Sequence, residues 1–151
     1  MNLKDILKGK VIIVGIGNII RGDDGFGPKL IENIKNKVKV VCLDAGVAPE
    51  NYLGKVIKEN PDTILIVDAV CLGKNPGQYE ILKGEDIEKC GFTTHDISPV
   101  MFMEYLTNQT KANIYMLGVQ PRGIELGSEM SEELKTILDE LSGKILEVVN
   151  A

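Results

Sequence analysis

The chain is poor in cysteine, in histidine and in positive charge, and it has no long apolar run. Its three cysteines, Cys42, Cys71 and Cys90, are odd in number and form no CxxC pair, so a reducing cytoplasm is the expected compartment. Seventeen Lys and Arg against 22 Asp and Glu leave a net charge of −5. That balance argues against nucleic acid or an anionic membrane as partner, because both repel negative charge. The apolar stretches fall far short of the roughly 20 residues a membrane helix requires. The opening MNLKDILKGK breaks its apolar residues with charges and is not read as a signal peptide. What is present is ordinary globular composition, 44% hydrophobic and 26% charged over 151 residues. One domain spanning 1–151 is expected, and folding a chain of this length hides roughly 68–70% of the unfolded surface without help from disulfides or metal.

Strand-like and helix-like stretches alternate. Lys10–Ile16 and Thr63–Val67 are short β-branched runs of the kind buried on both faces, and Val38–Leu43 reads as a strand between them. Pro28 is placed to open a helix with Leu30, Ile31 and Ile34 on one face, and Pro49 to start a short helix to about Lys58. Gln78–Leu82 follows an Asn-Pro-Gly turn and looks like an edge strand; Ser98-Pro99 has the cap chemistry of a helix reaching Leu106. Asn113–Gly118 is a further strand, and Leu134, Ile137, Leu138, Leu141, Ile145 and Val148 mark a final helix. The order implies an α/β fold in three αβα layers, with a twisted, mostly parallel sheet of about five strands and one antiparallel edge strand. Ligand sites in such sheets lie beyond the carboxyl ends of the strands.

Three segments at those ends carry chemistry. The first strand leads into GIGNIIRGDDGFGP, where five glycines permit close backbone approach around Asp23 and Asp24. The third strand runs directly onto Asp68. The single histidine, His95, precedes the Ser98-Pro99 helix start. Simpler roles exist for each: the acids can cap or solvate the loop, and a lone histidine can be a surface residue. A carboxylate at the end of a buried strand is harder to dismiss, because leaving it unpaired costs several kcal/mol. The glycine loop fits no nucleotide motif: Ile20 stands where GxGxxG needs its third glycine, and Asp23 where a P-loop needs lysine. Two carboxylates and an imidazole instead suit nickel, zinc, iron or manganese, with positions left open for water or substrate. Cys42 and Cys71 are expected to pack as small hydrophobes; Cys90 sits among charges and could pair with His95 as a nucleophile, though nothing else supports that.

Gly15-Ile16-Gly17-Asn18 followed by Gly22-Asp23-Asp24-Gly25-Phe26-Gly27-Pro28 resembles the opening motif of the hydrogenase maturation endopeptidases. The similarity continues in order through Asp44-Ala45-Gly46-Val47-Ala48-Pro49-Glu50-Asn51, Val67-Asp68-Ala69-Val70, His95-Asp96-Ile97-Ser98 and Leu117-Gly118-Val119-Gln120-Pro121. The resemblance implies an enzyme that trims a C-terminal extension from the large-subunit precursor of a nickel–iron hydrogenase. It implies that Asp24, Asp68 and His95 contact nickel carried by that precursor, or another divalent metal in isolation, and that they are the catalytic set. Asn18, Gly22 and Gly46 would border the bound extension. The HExxH signature of zinc peptidases is absent. The alternative is an assembly factor that binds the immature subunit without cutting it; a small nucleotide-binding domain is a third reading.

Overall fold

The computed structural model describes residues 1–87 and 99–151. In chain order the elements are α1 (Leu3–Ile6), β1 (Val11–Ile16), a 3-10 turn (Gly22–Gly25), α2 (Phe26–Ile34), β2 (Val41–Gly46), a second 3-10 turn (Pro49–Tyr52), α3 (Leu53–Glu59), β3 (Thr63–Ala69), β4 (Tyr79–Leu82), α4 (Gly84–Ile87), α5 (Pro99–Gln109), β5 (Asn113–Val119) and α6 (Glu132–Val149). The sheet has five strands in the order β2-β1-β3-β5-β4. All neighbours are parallel except β4 and β5, so the expected antiparallel edge strand is β4.

Alternation along the central strands builds two separate cores, as period-2 geometry requires. Val11 and Ile13 of β1 and Leu65 and Val67 of β3 pack with Phe26, Leu30, Ile31 and Ile34 of α2 and Leu134, Leu141 and Ile145 of α6. Ile12, Val14 and Ile16, with Ile64 and Ile66, pack on the other side with Val56 of α3 and Phe102, Met103 and Leu106 of α5. The three layers follow. β1 and β3 are buried at every position, which is why they read as unbroken apolar runs rather than alternating ones.

Several boundaries differ from expectation. Helix α2 begins at Phe26, because the 3-10 turn runs straight into it; Pro28 sits within the first helical turn, where its missing N–H would have had no partner. Strand β2 starts at Val41 rather than Val38. Its pairing with β1 opens at Ile12↔Val41, while Val38 and Val40 pack on the core from outside the ladder. Strand β3 extends to Ala69, so Asp68 lies inside the strand. The short helices α1 and α4 carry too few apolar positions to show a period. The expected Ser98 cap, Cys90 and His95 lie outside the described residues.

Candidate active site

The chain leaves β1 for β2 on one side and returns to β3 on the other, so connections diverge at the carboxyl ends of β1 and β3. This switch point is where doubly wound sheets open a crevice. Asp24 arrives there on the turn after β1, and Asp68 on β3 itself.

Glycine lets these two segments close on each other. Gly27, in the first turn of α2, touches the ends of both strands: a Cβ there would run into the carbonyl oxygens of Ile16 and Val67. Val67 immediately precedes Asp68, and Asp24 lies three residues before Gly27. Gly17 has φ of +148°, and a Cβ on it would strike the carbonyl oxygen of Asp24. The turn is therefore seated directly on the strand ends, which sets the backbone of Asp24 close to the carboxyl ends of β1 and β3.

The two adjacent acids have different surroundings. Asp23 is fully buried. Its Oδ2 accepts from the N–H of Arg122 at 2.8 Å and of Gly123 at 3.3 Å, and from the hydroxyl of Ser131 at 2.8 Å. Its Oδ1 accepts from the Ser131 N–H at 2.7 Å. Ser131 also N-caps α6, so Asp23 ties the turn to the residues after β5 and to that helix. Backbone bonds continue the seam, from Asp23 N–H to the Gly123 carbonyl at 3.0 Å and from Gly22 N–H to the Ser128 carbonyl at 3.1 Å. Beside it the Arg122 guanidinium bonds Glu133 at 2.6 Å and holds that carboxyl below its usual range.

Asp24 is only 2% exposed, and its Oδ2 accepts from the Asn18 N–H at 2.8 Å. Asn18 in turn accepts the Ile20 N–H on its own side chain at 3.1 Å, which fixes the loop between strand and turn. Asp68 is fully buried. By strand alternation it shares the α3/α5 face with Ile64 and Ile66. Two carboxylates held this far from water at a crevice are a donor set for a cation or for proton transfer. Among the described residues no group of three or more His, Cys, Asp or Glu is gathered as a metal site, and His95 lies outside them.

Of the other expected site residues, Gly46 (φ +54°) donates its N–H to Asp44 Oδ1 at 3.0 Å and accepts the Gly17 N–H at 2.9 Å, which links the β2 loop to the β1 loop. Gly22 (φ +56°) is wedged against Ser128. Gln120 was visible only as part of a motif; its Oε1 accepts the Leu72 N–H at 2.6 Å and pins the loop that follows Asp68. Cys42 is half-buried, and burial pushes its thiol up to about 11, so it stays protonated near neutral pH. Cys71 is exposed rather than packed, because it stands just past the end of β3.

Fold and site together define a doubly wound α/β protein with two buried carboxylates on segments that meet at its switch point. The family model for hydrogenase maturation proteases (HycI) matches residues 4–148. The hydrogenase 3 maturation protease of Escherichia coli is 35% identical over 134 residues, covering 85% of this chain and 83% of that protein. The crystal structure of the nickel–iron hydrogenase maturation protease HycI from Thermococcus kodakarensis superposes with a TM-score of 0.90 at 33% identity, over 99% of each chain. The solution structure of the endopeptidase HycI from E. coli gives 0.83 at 29% identity, over 92% of this chain and 90% of that one. The chain belongs to the hydrogenase maturation proteases. It is a processing endopeptidase, which sets aside the reading as a non-cutting assembly factor. No described helix is long and apolar enough to cross a membrane.

Proposed function

We propose that this protease removes the C-terminal extension of a nickel–iron hydrogenase large-subunit precursor after nickel insertion, with the precursor's nickel as the recognition element. The observation that supports the reading is the pair of buried carboxylates, Asp24 on the turn that follows β1 and Asp68 on the adjacent strand β3. Carboxylate oxygens with the imidazole of His95 suit a borderline divalent ion. In sequence His95 stands four residues before Pro99, the first residue of α5, whose layer covers the face that Asp68 shares.

In this reading Asp24, Asp68 and His95 complete the coordination of the substrate's metal and fix the extension across the cleft. Nickel near the scissile carbonyl supplies Lewis-acid polarisation. A carboxylate of the pair accepts the proton of the attacking water. Asn18, Gly22 and Gly46 wall the cleft and keep the loop positions fixed while the extension lies along them. The test is incubation with precursor purified with and without nickel, read by gel mobility and intact mass. The nickel-loaded form shortens and the nickel-free form stays whole; equal shortening of both contradicts nickel recognition.

A further inference from the structure

Large apolar side chains left in water are few among the described residues, and four of them gather at one end of the sheet. Ile19, Ile20, Val47 and Leu126 are each between 44% and 65% exposed. Ile19 and Ile20 follow Asn18, whose N–H holds Asp24. Val47 follows Gly46, whose carbonyl accepts the Gly17 N–H at 2.9 Å. Leu126 precedes Gly127, which donates to the Ile20 carbonyl at 2.7 Å. The loops after β1, β2 and β5 are thus stitched together around the crevice. Ile19 also borders a groove of about 490 Å³ that mixes apolar Met130 and Leu138 with charged Lys29, Glu129 and Lys135.

We propose that Ile19, Ile20, Val47 and Leu126 form an apolar docking rim for the folded body of the large-subunit precursor, seating it so that its extension enters the crevice. The inference rests on the proposed function and names the surface by which that substrate is recognised beyond its metal. The size of the rim selects a transiently bound precursor over a stable second copy of this chain. The four side chains expose on the order of 400 Å², well under the roughly 800 Å² per partner of a standard stable interface. That extent suits a partner released after each turnover.

The experiment uses the full chain and a nickel-loaded precursor carrying its extension, with binding followed by biolayer interferometry and cleavage by gel mobility. The double variant Ile19→Ser/Leu126→Ser and the single variant Val47→Ser are compared with wild type, alongside melting temperature and solution mass. The double variant should raise Kd and KM roughly tenfold or more and Val47→Ser less, with kcat, melting temperature and mass unchanged. Wild-type Kd and KM in the double variant overturn the proposal, as does a dimeric wild type that the substitutions make monomeric. Binding by wild type that depends on the rim but never leads to cleavage supports the rim and defeats the proteolytic reading. Wild type that neither binds nor cuts the precursor overturns both.

Discussion

Asp23 and Asp24 are neighbours in sequence and both are buried, yet their hydrogen-bond partners differ in number and in distance along the chain. Asp23 collects four hydrogen bonds from residues about a hundred positions away and closes the seam between the turn and α6. Among the described residues Asp24 accepts one local amide, that of Asn18, which orients one oxygen. The difference teaches that burial alone does not mark a reactive carboxylate. A saturated set of protein donors marks a structural one, and a neighbouring carboxylate such as Asp24, on the same turn with one described donor, is the candidate for chemistry.

The comparison predicts opposite consequences for the two acids. Asp24→Asn should fold with a melting temperature within a few degrees of wild type and lose more than roughly a hundredfold in processing rate, the range expected for removal of a catalytic acid–base group. Urea unfolding together with a precursor-cleavage time course checks both halves. Asp23→Ala should do the reverse. It removes the acceptor of the part-buried N–H groups of Arg122, Gly123 and Ser131 and of the Ser131 hydroxyl, at a cost of about 3 kcal/mol, or roughly 6–12 °C in melting temperature. Activity per folded molecule should persist; lost activity with unchanged melting would erase the distinction.

Smaller effects sharpen the picture. Gly27→Ala places a methyl against the carbonyls of Ile16 and Val67, and should destabilise by about 2 kcal/mol as the turn lifts from the strand ends. Processing should slow with it, because Asp24 moves relative to Asp68; denaturant midpoints and rates measured together follow both. Smallest is the contrast between two thiols. Near pH 8 exposed Cys71 should alkylate well before Cys42, whose thiolate burial disfavours until pH approaches about 11. Peptide mapping after iodoacetamide treatment reads the order.

Much of the fold was legible because the signals are local. The unbroken apolar runs of β1 and β3, the edge character of β4 and the helical period of α6 all survive in the structure. The glycines around Asp24 also announced close backbone approach, and Gly17 and Gly27 use it. The start of β2 was not legible, since Val38 and Val40 are apolar for packing while register is set by β1. Nor was the division of labour between Asp23 and Asp24. It is decided by the backbone amides of Arg122 and Gly123 and by Ser131, which carry no trace at positions 23 and 24. Cys71 was misplaced because the apolar run continues through Val70 to Leu72, past the end of β3 at Ala69.

The central claim is that the buried carboxylates at the switch point act on a metal-bearing precursor, and Asp68 tests it most directly. Asp68→Asn is isosteric, so the variant should fold like wild type. Incubated with nickel-loaded large-subunit precursor, it should leave the extension in place under conditions where wild type removes it. Complete cleavage by the folded Asp68→Asn protein would contradict the account.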